Sequence, residues 1–235
     1  MLMNLLRSYI NDFVALIFPE LCQACGSSLV AGEEIICVNC IYDLPYTNFH
    51  QQPGNVVARQ LWGRIDVQNA YVLLYFSKGG KVQHMMHQFK YKNTPHIGNR
   101  LGEIAGKQLI SAQSFNGIDV IIPVPLHPRK LKQRGYNQSA QFAEGLGQKM
   151  TGAMVDTVNL VRLKYTQTQT KKSRFSRYEN MKDVFAVQYP ERLQGKHILL
   201  VDDIITTGST LEACGIELLK IPGVTLSVAA IAYAE

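Results

Sequence analysis

The chain has 235 residues, 46% hydrophobic and 18% charged, with a net charge of +6. That composition is ordinary for a globular protein and leaves room for one large core plus a small module. No apolar run reaches the ~18 residues of a membrane span, so a transmembrane helix is excluded.

The chain opens with MLMNLLRSYINDFVALIFPE. Leu5, Leu6, Tyr9, Ile10, Phe13, Leu16 and Ile17 recur at helical spacing and predict an amphipathic helix, packed on the rest of the protein or else laid on a membrane or partner surface. Asp12 interrupts the apolar run and no small-residue cleavage site precedes Cys22, which argues against a signal peptide.

Next come CQACG (22–26) and CVNC (37–40), two C-x2-C knuckles separated by eleven residues. Each pair has the spacing that brings two thiolates to one tetrahedral zinc ion, and Gly26 permits the tight turn after the first. Cys22, Cys25, Cys37 and Cys40 are therefore the candidate ligands of a structural zinc. Four thiolates leave no open coordination position for catalysis. Two redox dithiols or two disulfides are the competing readings. The pattern points to a reduced, cytoplasmic protein rather than a disulfide framework.

NFHQQPGN (48–55) reads as a linker. Beyond it the spacing predicts strands over 70–76, 118–125, 154–163, 183–187, 197–201 and 224–234. Helices are predicted over 79–92, 98–112, 137–150 and 208–220, with Asn137 as an N-cap. Strands alternating with helices give an α/β sheet, at least partly parallel, whose ligands bind at the carboxyl ends of the strands. Three loops gather there: 126–136, 164–182 and 202–210. The first two overlap runs without any acid, HPRKLKQR (127–134) and RLKYTQTQTKKSRFSR (162–177). Such clusters suit phosphate-rich ligands or nucleic acid, and equally a solvated loop surface. Cys214, inside a predicted helix, reads as a buried structural thiol.

The third loop is the informative one. HILLVDDIITTGST (197–210) ends a strand in Asp202 and Asp203 and then enters a hydroxyl-rich turn. No G-x-x-x-x-G-K-[ST] run is present, which removes a Walker-type ATPase. A receiver domain carries its acids near its start, whereas only 32 residues follow Asp203 here. A phosphoribosyl diphosphate (PRPP) site fits the local chemistry. Thr206, Thr207, Gly208, Ser209 and Thr210 lie where free N–H groups and a helix dipole favour a phosphate. Carboxylates accept hydrogen bonds from vicinal ribose hydroxyls, and magnesium would relieve the repulsion between the two acids. The acids are expected to face one sugar because the chain is already turning where they stand.

This stretch resembles the PRPP-binding signature of type I phosphoribosyltransferases. VIIPVPLHPRKLKQRGYNQ (120–138) and TKKSRFSRYENMKDVFAV (170–187) are similar to runs of the ComF/GntX family, competence-associated phosphoribosyltransferase-like proteins with an N-terminal zinc ribbon. The resemblance covers nearly the whole chain. It implies a helix and ribbon over 1–50 and a phosphoribosyltransferase-like domain over 51–235, a mostly parallel sheet flanked by helices. By the same resemblance Asp202 and Asp203 hold the ribose hydroxyls and residues 206–210 hold the 5′-phosphate. Arg129, Lys130 and Arg134 bind pyrophosphate, and Arg174 and Arg177 reach the phosphates from a mobile loop. Arg129 and Arg134, with the two acids, would serve the displacement of pyrophosphate at ribose C1. His127 reads as structural. No acceptor is legible, so three readings stay open. They are phosphoribosyl transfer in DNA uptake and natural transformation, a single-stranded-DNA-binding module without catalysis, and a nucleotide-salvage transferase. Phe175 and Tyr178 are candidates for stacking on a DNA strand. Other DNA-uptake proteins are implied as partners.

Overall fold

A computed structural model of the chain describes residues 18–163 and 184–234. The predicted N-terminal helix and the 164–182 loop, with Arg174, Arg177, Phe175 and Tyr178, lie outside the described residues.

The elements in chain order are α1 (Val38–Asp43), α2 (Val56–Leu61), β1 (Ala70–Tyr75), α3 (Lys81–Tyr91), α4 (His96–Ile110), β2 (Val120–Pro123) and α5 (Pro128–Arg134). They continue with α6 (Gln138–Lys149), β3 (Met154–Val155), β4 (Leu160–Arg162), β5 (Phe185–Val187), β6 (His197–Ile205), α7 (Ser209–Leu219) and β7 (Thr225–Tyr233). Five strands form one sheet in the order β1-β7-β6-β2-β3, every pairing parallel. β4 and β5 form a separate antiparallel pair.

Both faces of the sheet are covered, which is why β6 and β7 read as continuous apolar runs rather than alternating ones. Along β6, Leu199 and Val201 face a core shared with Met85, Phe89, Leu101 and Phe142 of α3, α4 and α6. Ile198 and Leu200 face a second core with Leu61 of α2, Leu211 and Cys214 of α7, and Leu160 and Phe185 of the β4–β5 pair. The period of two along a strand sorts these residues to opposite layers.

α4 and α6 pack closely because each presents glycine at the crossing. A Cβ on Gly102 would strike the Phe142 carbonyl oxygen, and one on Gly145 would strike the Asn99 carbonyl oxygen.

Four expectations need correction. Residues 48–55 are not a linker but part of the cover on the sheet edge. Thr47 N donates to Leu73 O at 3.1 Å, Asn55 Nδ2 donates to Ala70 O at 2.7 Å, and Phe49 is buried. An open edge strand invites foreign pairing, and these bonds close it. The basic loop 126–136 contains α5, with Pro128 at its first turn, His127 as N-cap and Gly135 left-handed at φ 82° as C-cap. The strand predicted over 154–163 is split between two sheets, β3 pairing with β2 and β4 with β5. Lastly, β6 does not stop at Val201. It runs to Ile205, with Asp202 paired to Ala230 and Ile204 to Ala232.

Candidate functional site

The four-cysteine cluster forms first in chain order. The Sγ atoms of Cys22, Cys25, Cys37 and Cys40 all lie within 4.8 Å of one another. Cys25 Sγ and Cys37 Sγ are 3.8 Å apart. That equals the ~3.8 Å edge of a tetrahedron with Zn–S bonds of about 2.3 Å. Backbone N–H groups already point at the sulfurs: Cys37 N donates to Cys22 Sγ at 3.3 Å and Cys40 N to Cys37 Sγ at 3.4 Å. Hydrogen bonds from Ser27 hold Cys25 down to about 6, whereas burial pushes the Cys40 thiol up. None of the four is disulfide-bonded, and a cation is what would let all four ionise together. Cys22, Cys37 and Cys40 are buried in the same apolar cluster as α3 and α4, so the module is tied to the main core.

The second cluster sits at the carboxyl ends of β2 and β6. β6 continues through the acids, and each acid is held by a different helix. Asp203 turns toward α3 and accepts from Lys90 Nζ at 2.8 Å. Asp202 accepts from Ser139 Oγ of α6 at 3.2 Å and from the Asp203 backbone N–H at 2.8 Å. Burial, together with the charge of Asp203, pushes the Asp202 carboxyl up to about 7. The expectation that the chain turns at the pair is therefore replaced by a different geometry. The acids stay in the strand, and two helices reach them.

The hydroxyl turn lies just beyond. Gly208 adopts φ 70° and precedes the first residue of α7, while Thr207 Oγ1 and Ser209 Oγ are 3.0 Å apart. The turn is braced from α2 and from the short segment just after it. Gln60 Nε2 donates to Thr206 O at 2.7 Å and Arg64 Nη1 to Thr207 O at 2.8 Å. Arg64 also forms an ion pair with Glu212, whose side chain is only 9% exposed. The positive φ at Gly208 is what favours glycine here, and a Cβ on it would also come within 2.9 Å of the Leu61 Cδ2 methyl.

Basic side chains converge on the acids. The field at Lys130 includes Arg162, Arg134, Lys90 and Asp203, and burial lowers its pKa first of all. Arg134 Nη1 donates to Gln138 Oε1 at 2.8 Å and lies over the Tyr91 ring at 5.9 Å. Arg162 of β4 stacks on Phe185 at 5.3 Å and feels the charge of Asp202. Arg129 is exposed at the start of α5, where its N–H donates to His127 Nδ1 at 3.2 Å. His127 thus caps a helix. Cys214 is fully buried in α7, its thiol pushed up by burial.

Sequence reading missed Lys90, Arg162, Gln60 and Arg64. Arg162 stood at the edge of a basic run and could have been noticed. The others carry no local signal, because only the folded chain brings residues 60–64 and 90 beside residues 203–212.

Residues 137–234 match the phosphoribosyl transferase domain family. The DNA utilization protein YhgH of Shigella flexneri is 28% identical over 226 residues, which is 89% of this chain and 95% of that protein. Competence protein F of Haemophilus influenzae is 26% identical over 200 residues, 81% of this chain and 80% of that one. Among solved structures, the glutamine PRPP amidotransferase from B. subtilis is similar at 18% identity and a TM-score of 0.39, over 60% of this chain and 30% of that chain. With a phosphoribosyl transferase domain match behind a four-cysteine cluster, and relatives of nearly the same length named for competence and DNA utilization, the chain is similar to ComF-type phosphoribosyltransferase-like proteins.

Proposed function

We propose that the chain binds PRPP with magnesium and transfers its phosphoribosyl group, displacing pyrophosphate at ribose C1, in the handling of DNA taken up by the cell. The observation that carries this reading is the acid pair between a phosphate-type turn and a cluster of basic side chains. One end suits ribose hydroxyls, the turn suits a 5′-phosphate, and the basic groups suit a diphosphate. A helix terminus alone contributes about 0.3–1 kcal/mol, whereas micromolar binding needs about 8 kcal/mol. Several anchors must therefore act together.

In this reading Asp202 and Asp203 accept from the 2′ and 3′ hydroxyls. Residues 206–210 hold the 5′-phosphate. Arg129, Lys130 and Arg134 take up the charge that develops on departing pyrophosphate, and Arg174 and Arg177 are assigned to the phosphates by resemblance. The acid pair fits a hard divalent cation: its ligands are carboxylate oxygens, and Asp203 already holds a cationic group. Magnesium would supply charge neutralisation for the pyrophosphate. The four cysteines would hold a structural zinc, and the chain divides into a ribbon module over 1–50 and a transferase-like domain over 51–235. Unpaired cysteines are in keeping with a cytoplasmic location. Among the described residues no helix is long and apolar enough to cross a membrane.

Calorimetry with PRPP and magnesium tests the site. Wild type should bind and Asp203→Asn should lose at least tenfold in affinity, on the order of 1.4 kcal/mol or more; equal binding by both refutes the assignment. Pyrophosphate release from PRPP, screened against bases, amines and single-stranded DNA, identifies the acceptor. A second reading rests on the names of the relatives, which speak of competence and DNA utilization. In it the basic face binds single-stranded DNA without chemistry. Binding that weakens steeply with salt, in the absence of any pyrophosphate release, would favour it.

A further inference from the structure

Lys90 precedes the matched domain, lies outside the basic runs, and is given no role by the resemblance. It sits near the end of α3, after Met85, Met86 and Phe89 have been buried against the sheet. The buried face fixes the direction of the helix and brings the Lys90 ammonium to Asp203 Oδ2 at 2.8 Å. The two side chains are 20% and 17% exposed, so the pair is largely shielded from water. A shielded carboxylate next to a second one needs a counter-charge, and here Lys90 supplies it.

Consider the same site with ribose hydroxyls and a divalent cation on the acids. The ammonium would lose its partner, because carboxylate oxygens can serve only so many donors. Its flexible four-carbon stem lets it move, and Lys130 and Arg134 lie beside it on the diphosphate side. We propose that Lys90 is a substrate-binding residue with two successive partners: Asp203 in the free protein and the diphosphate arm of the ligand in the complex. Its ammonium therefore competes with a divalent cation for Asp203 until a diphosphate is present. This rests on the PRPP reading above and adds Lys90 to the residues that hold the diphosphate arm.

The test uses the full chain as wild type, Lys90→Met and Lys90→Arg, with Mn²⁺ as the metal probe. Free Mn²⁺ is followed by electron paramagnetic resonance without any phosphate compound. An opposite charge within ~4–6 Å changes a carboxylate's ion affinity by about tenfold or more, so Lys90→Met should bind Mn²⁺ about tenfold more tightly than the other two. Unchanged Mn²⁺ affinity overturns the competition. In the second arm PRPP is titrated with Mg²⁺ present. Lys90→Met should bind PRPP at least tenfold more weakly than wild type, and Lys90→Arg should stay within a few-fold. If Lys90→Met binds PRPP as wild type does, the second partner is wrong while the PRPP reading stands. If PRPP binds to none of the three, both fall. Lys90→Gln, which keeps a polar end on the same helix face, repeats both arms should the methionine variant fail to fold.

Discussion

The cysteine cluster takes all its ligands from residues 22–40, whereas the acid site draws on α2, α3, α5, α6, β4, β6 and α7. A short segment cannot bury a core of its own, so a region of this kind gains order from a bound ion and from packing on its neighbour, and four candidate ligands close in sequence suit the first of these. The second region needs charges of both signs held in fixed places at the rim of a sheet. Backbone of one strand cannot supply that, and the partners come from distant helices. The difference teaches where disruption will act. Damage to the first region should unfold it locally, while damage to the second should alter binding first and cost stability only where a buried brace such as Arg64–Glu212 is cut.

The largest effect tests the first half of that contrast. Cys22→Ser with Cys37→Ser should abolish zinc content measured by elemental analysis. It should also lower the melting temperature, because metal binding contributes on the order of 10 kcal/mol to folding such modules. Full zinc retention would sink the idea. Arg64→Ala probes the brace between α2 and the hydroxyl turn. It leaves Glu212 buried without its partner, at about 3–5 kcal/mol by chemical denaturation, and it should also weaken PRPP binding. A loss of stability with PRPP affinity intact would separate the brace from the turn's function.

A smaller effect follows pH. Asp202 is raised from 3.8 to about 7, so the folded protein keeps a proton that the unfolded chain releases. Its contribution to stability therefore falls as pH rises between those two values, and is lost above about 7. Divalent metal must displace that proton, so Mn²⁺ affinity should fall about tenfold per pH unit below pH ~7 and level off above it. A flat profile from pH ~5 to ~8 would contradict the placement of the metal at the pair. The smallest change is Asn137→Ala. It removes the cap whose oxygen accepts from Ser139 N at 3.1 Å, at about 1 kcal/mol. Because Ser139 also bonds Asp202, a shift in the pH profile of Mn²⁺ binding should accompany it.

Much of the fold was legible because burial on both faces leaves a continuous apolar run. HILLV and VTLSVAAIAYA both announce strands, and both are central in the sheet. The knuckle spacing and the order of acids, hydroxyls and glycine were legible for a related reason: each is a chemistry that needs its residues within one turn. Other features misled. The extension of β6 through Asp202 was hidden, since acids usually end a buried strand. α5 was hidden by its charge, although Pro128 and Gly135 marked both of its ends.

By itself the sequence determined the metal-type cluster, the alternation of strands and helices, and the acid–hydroxyl stretch that suits a phosphorylated sugar. Only the tertiary structure decided which distant groups serve that stretch: Lys90 on Asp203, Ser139 on Asp202, and Gln60 and Arg64 behind the turn. The physical reason is that local motifs depend on chain geometry over a few residues. Long-range partners depend instead on how buried helix faces dock on a sheet, and no short stretch encodes that.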